Sequence, residues 1–84
     1  MKFSGDWIES TGALERTVEL PSFRQAVALV NRVAELAEAE NHHPDIAISY
    51  RKVTFRWTTH SAGGITARDH ELAAKTDELI DAPA

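Results

Sequence analysis

The sequence predicts an α+β fold, a four-stranded antiparallel sheet with two helices packed on one face, in the order ββαββα. Three observations carry that expectation. Alternating apolar and polar residues mark strands on either side of a long amphipathic run, a capping pattern opens that run, and a second capped, amphipathic stretch closes the chain. With 84 residues, no internal repeat and no linker, positions 1–84 are expected to form one domain.

Each element has its own local reason. Trp7 and Ile8 stand before Ser10-Thr11-Gly12-Ala13, so a short first strand is expected to close in a turn at Gly12. From Leu14 to Leu20 the chain alternates, with Leu14, Val18 and Leu20 on one face, Glu15, Thr17 and Glu19 on the other, and Arg16 out of place on the apolar side. Ser22 followed three residues later by Gln25 reads as a capping box after Pro21, and a helix is expected from about Ser22 to Asn41. Phe23, Ala26, Val27, Val30, Val33, Ala34 and Ala37 supply its apolar stripe, and it must end before Pro44. Ile46, Ile48 and Tyr50, then Val53, Phe55 and Trp57, describe two strands. A turn at Arg51-Lys52 would pair Tyr50 with Val53 and Ile46 with Trp57, and that register brings His60, at the end of the last strand, opposite His43. Thr66-Ala67-Arg68-Asp69 starts the second helix, whose stripe is Leu72, Ala73, Thr76, Leu79 and Ile80 and which Pro83 ends.

Composition narrows the function. The chain has no Cys, which removes disulfides, thiolate metal sites and Cys nucleophiles, and suits a reducing cytoplasm. Nine Lys and Arg against 13 Asp and Glu give a net charge of −4, unfavourable for gripping a phosphate backbone, so direct nucleic-acid binding is not expected. No apolar run reaches membrane-spanning length, and the start lacks the apolar core of a secretory signal. A core this small without disulfides is expected to gain stability from self-association.

The chemistry-bearing residues are the histidines and the carboxylates near them. His42, His43 and His60 converge in the expected register, and imidazole exchanges protons near neutrality. Glu38 precedes His42 by one helical turn and could pair with it, while Asp69 in the first turn of the second helix could orient an imidazole. Asp69 would equally serve as a plain helix cap, and His70 reads as a surface residue. Spacing alone leaves acid–base catalysis, metal ligation and no function open, although adjacent His42 and His43 rarely aim both rings at one ion. Gly63-Gly64 suits either a close backbone approach to a ligand or a simple turn, and Arg51, Lys52 and Arg56 read as a solvated rim at the far end of the hairpin.

With these residues in place the chain resembles the pterin-4a-carbinolamine dehydratases. Their signature is a charged residue, three spacers, His, His or Asn, Pro, an aromatic after five or six residues, His or Trp after nine more, and Asp after at least eight. Glu38, His42, His43, Pro44, Tyr50, His60 and Asp69 satisfy every interval. The resemblance runs from about Leu14 to Ile80. It implies a cytoplasmic hydro-lyase that removes water from 4a-hydroxytetrahydropterin in tetrahydropterin recycling, with His42, His43 and His60 in the active site, Asp69 and Glu38 in support, and neither metal nor organic cofactor. It also implies a homodimer or homotetramer, and some members act as protein-binding partners, which leaves a non-enzymatic binding or assembly module as the alternative. Family members usually carry a helix ahead of the first strand. About a dozen residues precede Leu14 here, so that helix is expected to be missing or replaced by a short strand.

Overall fold

The computed structural model describes residues 7–82. Strands β1 (Ile8–Ser10) and β2 (Ala13–Glu19), helix α1 (Phe23–Glu40), strands β3 (Asp45–Ser49) and β4 (Lys52–Trp57) and helix α2 (Ala67–Asp81) follow in the expected order. The four strands form one antiparallel sheet in the spatial order β1-β2-β4-β3. Among the described residues no helix precedes β2, and β1 stands at that place. Pro83 lies outside the described residues, and α2 ends at Asp81.

Alternation sorts the sheet into two faces. Leu14, Val53, Phe55 and Trp57 point inward and are buried, meeting Ala26, Leu29, Val33 and Ala37 of α1 and Leu72 and Ala73 of α2 in one core. Trp57, although wholly buried, has its indole N–H satisfied by the Thr76 hydroxyl at 3.0 Å, and that hydroxyl in turn donates to the Leu72 carbonyl at 2.7 Å. Arg16, the charged residue on the apolar side, reaches Asp77 of α2, which also accepts from the Trp7 indole at 2.8 Å. A cation on the inner face is thereby paired at the margin of the core.

The helix wheel of α1 is turned relative to the expected stripe. Leu29 is fully buried, whereas Phe23 is 60% exposed and Ala34 is also exposed. The buried set Ala26, Leu29, Val33 and Ala37 follows the 3-4-4 spacing of a single inward line. Ser22 caps the helix as expected, its hydroxyl accepting from the Gln25 N–H at 3.1 Å.

The hairpin register also differs from expectation. Ile46 pairs with Phe55 and Ile48 with Val53, so the partner of each β3 residue lies two positions earlier and the turn falls at Tyr50-Arg51. Lys52 is held from both sides, by Glu19 and Ser49, and the Arg51 carbonyl accepts from the Leu20 N–H at 2.9 Å. Those bonds draw Lys52 out of the expected turn into the ladder, and Tyr50 enters the turn in a left-handed conformation (φ 58°), 88% exposed. Because the shift is two residues, every side chain keeps its face. At the other hairpin, Thr11 and Gly12 both have positive φ (53° and 78°), the geometry that suits a two-residue turn.

The phase of α1 is open to direct measurement. Leu29→Ala is expected to cost about 2–5 kcal/mol in urea unfolding because it leaves a cavity in the core. Phe23→Ala should change stability by less than about 0.5 kcal/mol; the reverse ranking would restore the expected stripe.

Candidate active site

The site is built where α1 ends and α2 begins. Asn41 terminates α1 in the left-handed conformation (φ 52°), and the N–H of His42 turns back to the Ala37 carbonyl at 3.1 Å. From α2, Arg68 donates to the carbonyl of Glu40, and Lys75 meets the Glu40 carboxylate at 3.2 Å. Positive charge from one helix thus settles on the C-terminus of the other, where the helix dipole favours it. The reversal at Asn41 takes His42 off the helical track, so the expected pairing of Glu38 with His42 does not form. Glu38 instead meets His43, its Oε2 lying 2.9 Å from Nε2, with both side chains exposed.

His42 turns inward. Its ring lies parallel to that of Trp57, with centroids 5.9 Å apart and planes inclined by 17°. Its Nε2 is 2.8 Å from Oδ1 of Asp69, and its side chain is only 13% exposed. Asp69 is fully buried and sits at the third position of α2, where it completes the capping box with Thr66. Its Oδ2 accepts from the Thr66 N–H at 2.8 Å and from the Thr59 hydroxyl at 2.7 Å, and the Thr59 and Thr66 hydroxyls are 2.9 Å apart. One carboxylate oxygen is therefore committed to the helix cap and the other to the imidazole. Burial pushes the Asp69 carboxyl up, but the Thr66 N–H, the Thr59 hydroxyl and the His42 ring together outweigh it and hold the carboxyl below its ordinary value of 3.8.

His60 is placed differently from expectation. β4 ends at Trp57, and His60 opens a single 3₁₀ turn, His60–Ala62, rather than closing the strand. Thr59 and Gly64 bridge the base of that turn with two backbone hydrogen bonds of 3.0 and 3.2 Å, and Gly63 adopts φ 77° inside it. The two-residue change of hairpin register removes the alignment of His60 with His43. His60 lines an open depression of about 290 Å³ together with Asp45, Arg56, Thr58 and the Thr11–Gly12 turn. Arg56 belongs to this depression and pairs with Glu15 at 2.8 Å, so it is not part of a rim at the far end of the hairpin. Among the described residues no three His, Asp or Glu side chains are grouped to hold a metal ion, and no helix is long and apolar enough to cross a membrane.

Sequence reasoning missed Thr59 and Trp57 as parts of this site. Thr59 sits one residue before a flagged histidine, but nothing in its spacing signals a bond to Asp69. Trp57 reads as a core residue, which it is, with one face of its ring left for His42.

The family model described as pterin 4 alpha carbinolamine dehydratase matches residues 2–79. A Nocardia farcinica protein named "Putative pterin-4-alpha-carbinolamine dehydratase" is 57% identical over 74 residues, 88% of this chain and 78% of its own. A protein of the same name from Roseiflexus castenholzii is 51% identical over 74 residues, 88% of this chain and 80% of its own. The crystal structure of a transcriptional coactivator/pterin dehydratase from Brucella melitensis superposes with a TM-score of 0.84 at 27% identity, covering 89% of this chain and 82% of that one. A pterin dehydratase-like protein identified as a RuBisCO assembly factor in the alpha-carboxysome shares the fold, with a TM-score of 0.78, 21% identity and 98% of both chains covered.

The depressed Asp69 carboxyl fixes the sign of one pH effect. Its contribution to stability is complete above the unfolded value near 3.8 and is lost as pH falls through the lower folded value. Asp69→Asn should cost about 1–3 kcal/mol at neutral pH, because the Thr66 N–H, the Thr59 hydroxyl and His42 all lose their anionic acceptor. Urea unfolding at stepped pH should show the gap between wild type and variant constant above about pH 5 and closing in acid. A gap that widened in acid would contradict the assignment.

Proposed function

Because this chain belongs to the pterin 4 alpha carbinolamine dehydratase family, we propose that it dehydrates 4a-hydroxytetrahydropterin to quinonoid dihydropterin and water, in tetrahydropterin recycling. The observation that carries the reading is the buried Asp69 carboxylate that engages His42 in a chain with the family's full set of His42, His43, His60 and Asp69. The elimination breaks the C4a–O bond, removes the proton on the adjacent ring nitrogen, forms the C=N double bond and delivers a proton to the departing hydroxyl. One neutral and one protonated imidazole suffice for both transfers. His60 and His42 are assigned as the leading acid–base pair, and His43, exposed and steadied by Glu38, as a binding residue or alternate acid. Asp69 supports His42 by fixing the direction of its ring. The chemistry asks for neither metal nor organic cofactor, and cytoplasm is the proposed location.

A second reading, a binding or assembly module on the same fold, is favoured by the Brucella relative, whose description joins coactivator with pterin dehydratase. Self-association as a homodimer or homotetramer fits either reading, since Ile8, Phe23, Ile48 and Tyr50 leave apolar surface exposed.

Absorbance measurements of carbinolamine breakdown separate the two. Wild type should accelerate it, and His60→Ala and His42→Ala should each lower kcat/KM by roughly 10²-fold or more. Rates equal to the uncatalysed reaction in all three proteins would leave the module reading. Sedimentation equilibrium should give two or four times the 9.3 kDa chain mass; a monomer at micromolar concentration would contradict self-association.

A further inference from the structure

The hydrogens around Asp69 can be placed from its partners, and they fix more than the direction of the His42 ring. Oδ2 faces the Thr66 N–H, which can only donate, and the Thr59 hydroxyl, which gives its single proton at 2.7 Å. With that proton spent, Thr59 Oγ1 accepts from the Thr66 hydroxyl 2.9 Å away. The Asp69 carboxyl, held below its ordinary value, is ionised at neutral pH and has no proton of its own to give. It offers His42 a lone pair only, so across the 2.8 Å contact Nε2 is the donor. The neutral ring then carries its proton on Nε2 and its lone pair on Nδ1. Among the described residues Nδ1 makes no hydrogen bond, and it is not sealed from solvent.

We propose that Thr59 is a positioning residue of the reaction: through Asp69 it holds His42 with the proton on Nε2, so that every proton His42 exchanges with the pterin passes through Nδ1. A bare Nδ1 takes the proton from the ring nitrogen, and a protonated Nδ1 delivers one to the departing hydroxyl. Thr59 supplies the close side-chain donor to Oδ2, since the Thr66 hydroxyl stands off at 3.4 Å. Without it, Oδ2 keeps the Thr66 N–H as its one close donor, and the carboxylate is freer to turn and take the imidazole with it. The backbone of Thr59 separately engages Gly64 at the base of the turn that carries His60. An isosteric change of its side chain therefore acts on His42 and leaves the brace of His60 in place. The assignment rests on the dehydratase reading and adds to it the nitrogen that reacts and the residue that selects it.

Long-range proton–nitrogen NMR of the wild type, recorded above the titration range of imidazole, reads which ring nitrogen of His42 bears the proton. Nε2 is expected, a proton on Nδ1 overturns the proposal, and this reading requires no variant to fold. Carbinolamine turnover is then compared for Thr59→Val and Thr59→Ser, and for Thr59→Val combined with His42→Ala. Thr59→Val should lower kcat roughly tenfold with little change in KM, and Thr59→Ser, which keeps the hydroxyl, should recover most of that loss. On top of His42→Ala, Thr59→Val should cost less than about twofold, because its route to the reaction is gone. Equal losses with and without His42 mark a merely structural role and overturn the proposal, as does a wild-type kcat in Thr59→Val. A proton on Nε2 in a wild type that does not turn over supports the placement of the proton and removes the dehydratase reading instead.

Discussion

The buried carboxylate of Asp69 is the constraint around which this end of the molecule is arranged. A carboxylate without water is costly unless each oxygen is satisfied. Here Oδ2 takes the Thr66 N–H and the Thr59 hydroxyl, and Oδ1 takes His42. Three segments are thereby fixed to one point: the end of α1, the exit of β4 and the start of α2. The charge sits at a helix N-terminus, where the backbone dipoles favour it.

The two histidines stand in different environments. His42 packs over Trp57 on the helix side, so its ring direction is set by the same indole that anchors the core through Thr76. His60 stands beyond the strand end with the polar residues of the open face. Core packing therefore controls the first ring tightly, while the second depends on a short turn pinned by Thr59 and Gly64. Thr59 belongs to both arrangements, since its hydroxyl meets Asp69 and its backbone closes the turn that carries His60.

Much of the fold could be read because local signals agreed with one another. The capping patterns at Ser22 and Thr66 place both helix starts, and the latter also marks Asp69 as a carboxylate near a backbone N–H. Period-two alternation gives the strands and their faces. The hairpin register was not legible, because neither Tyr50 nor Arg51 favours the left-handed geometry that Tyr50 adopts; bonds from β2 to Arg51 and Lys52 impose it. The wheel phase of α1 is not legible either, because Phe23 and Ala34 are as apolar as the residues that are buried, and only the opposing sheet decides among them. Within the site, the spacing of Glu38 suggested His42 as its partner, and a single left-handed residue, Asn41, gave it His43 instead.

The capping box at Thr66 has a dynamic corollary. Helix ends fray more readily than helix centres, and the first turn of α2 is such an end. Each unwinding of that turn detaches the Thr66 N–H from Asp69 and so loosens the carboxylate that orients His42. The organised and disorganised forms of the imidazole are then populated by the same local equilibrium that governs solvent exchange of that amide proton. Whatever steadies the start of α2 also steadies the histidine, without any contact to a ligand.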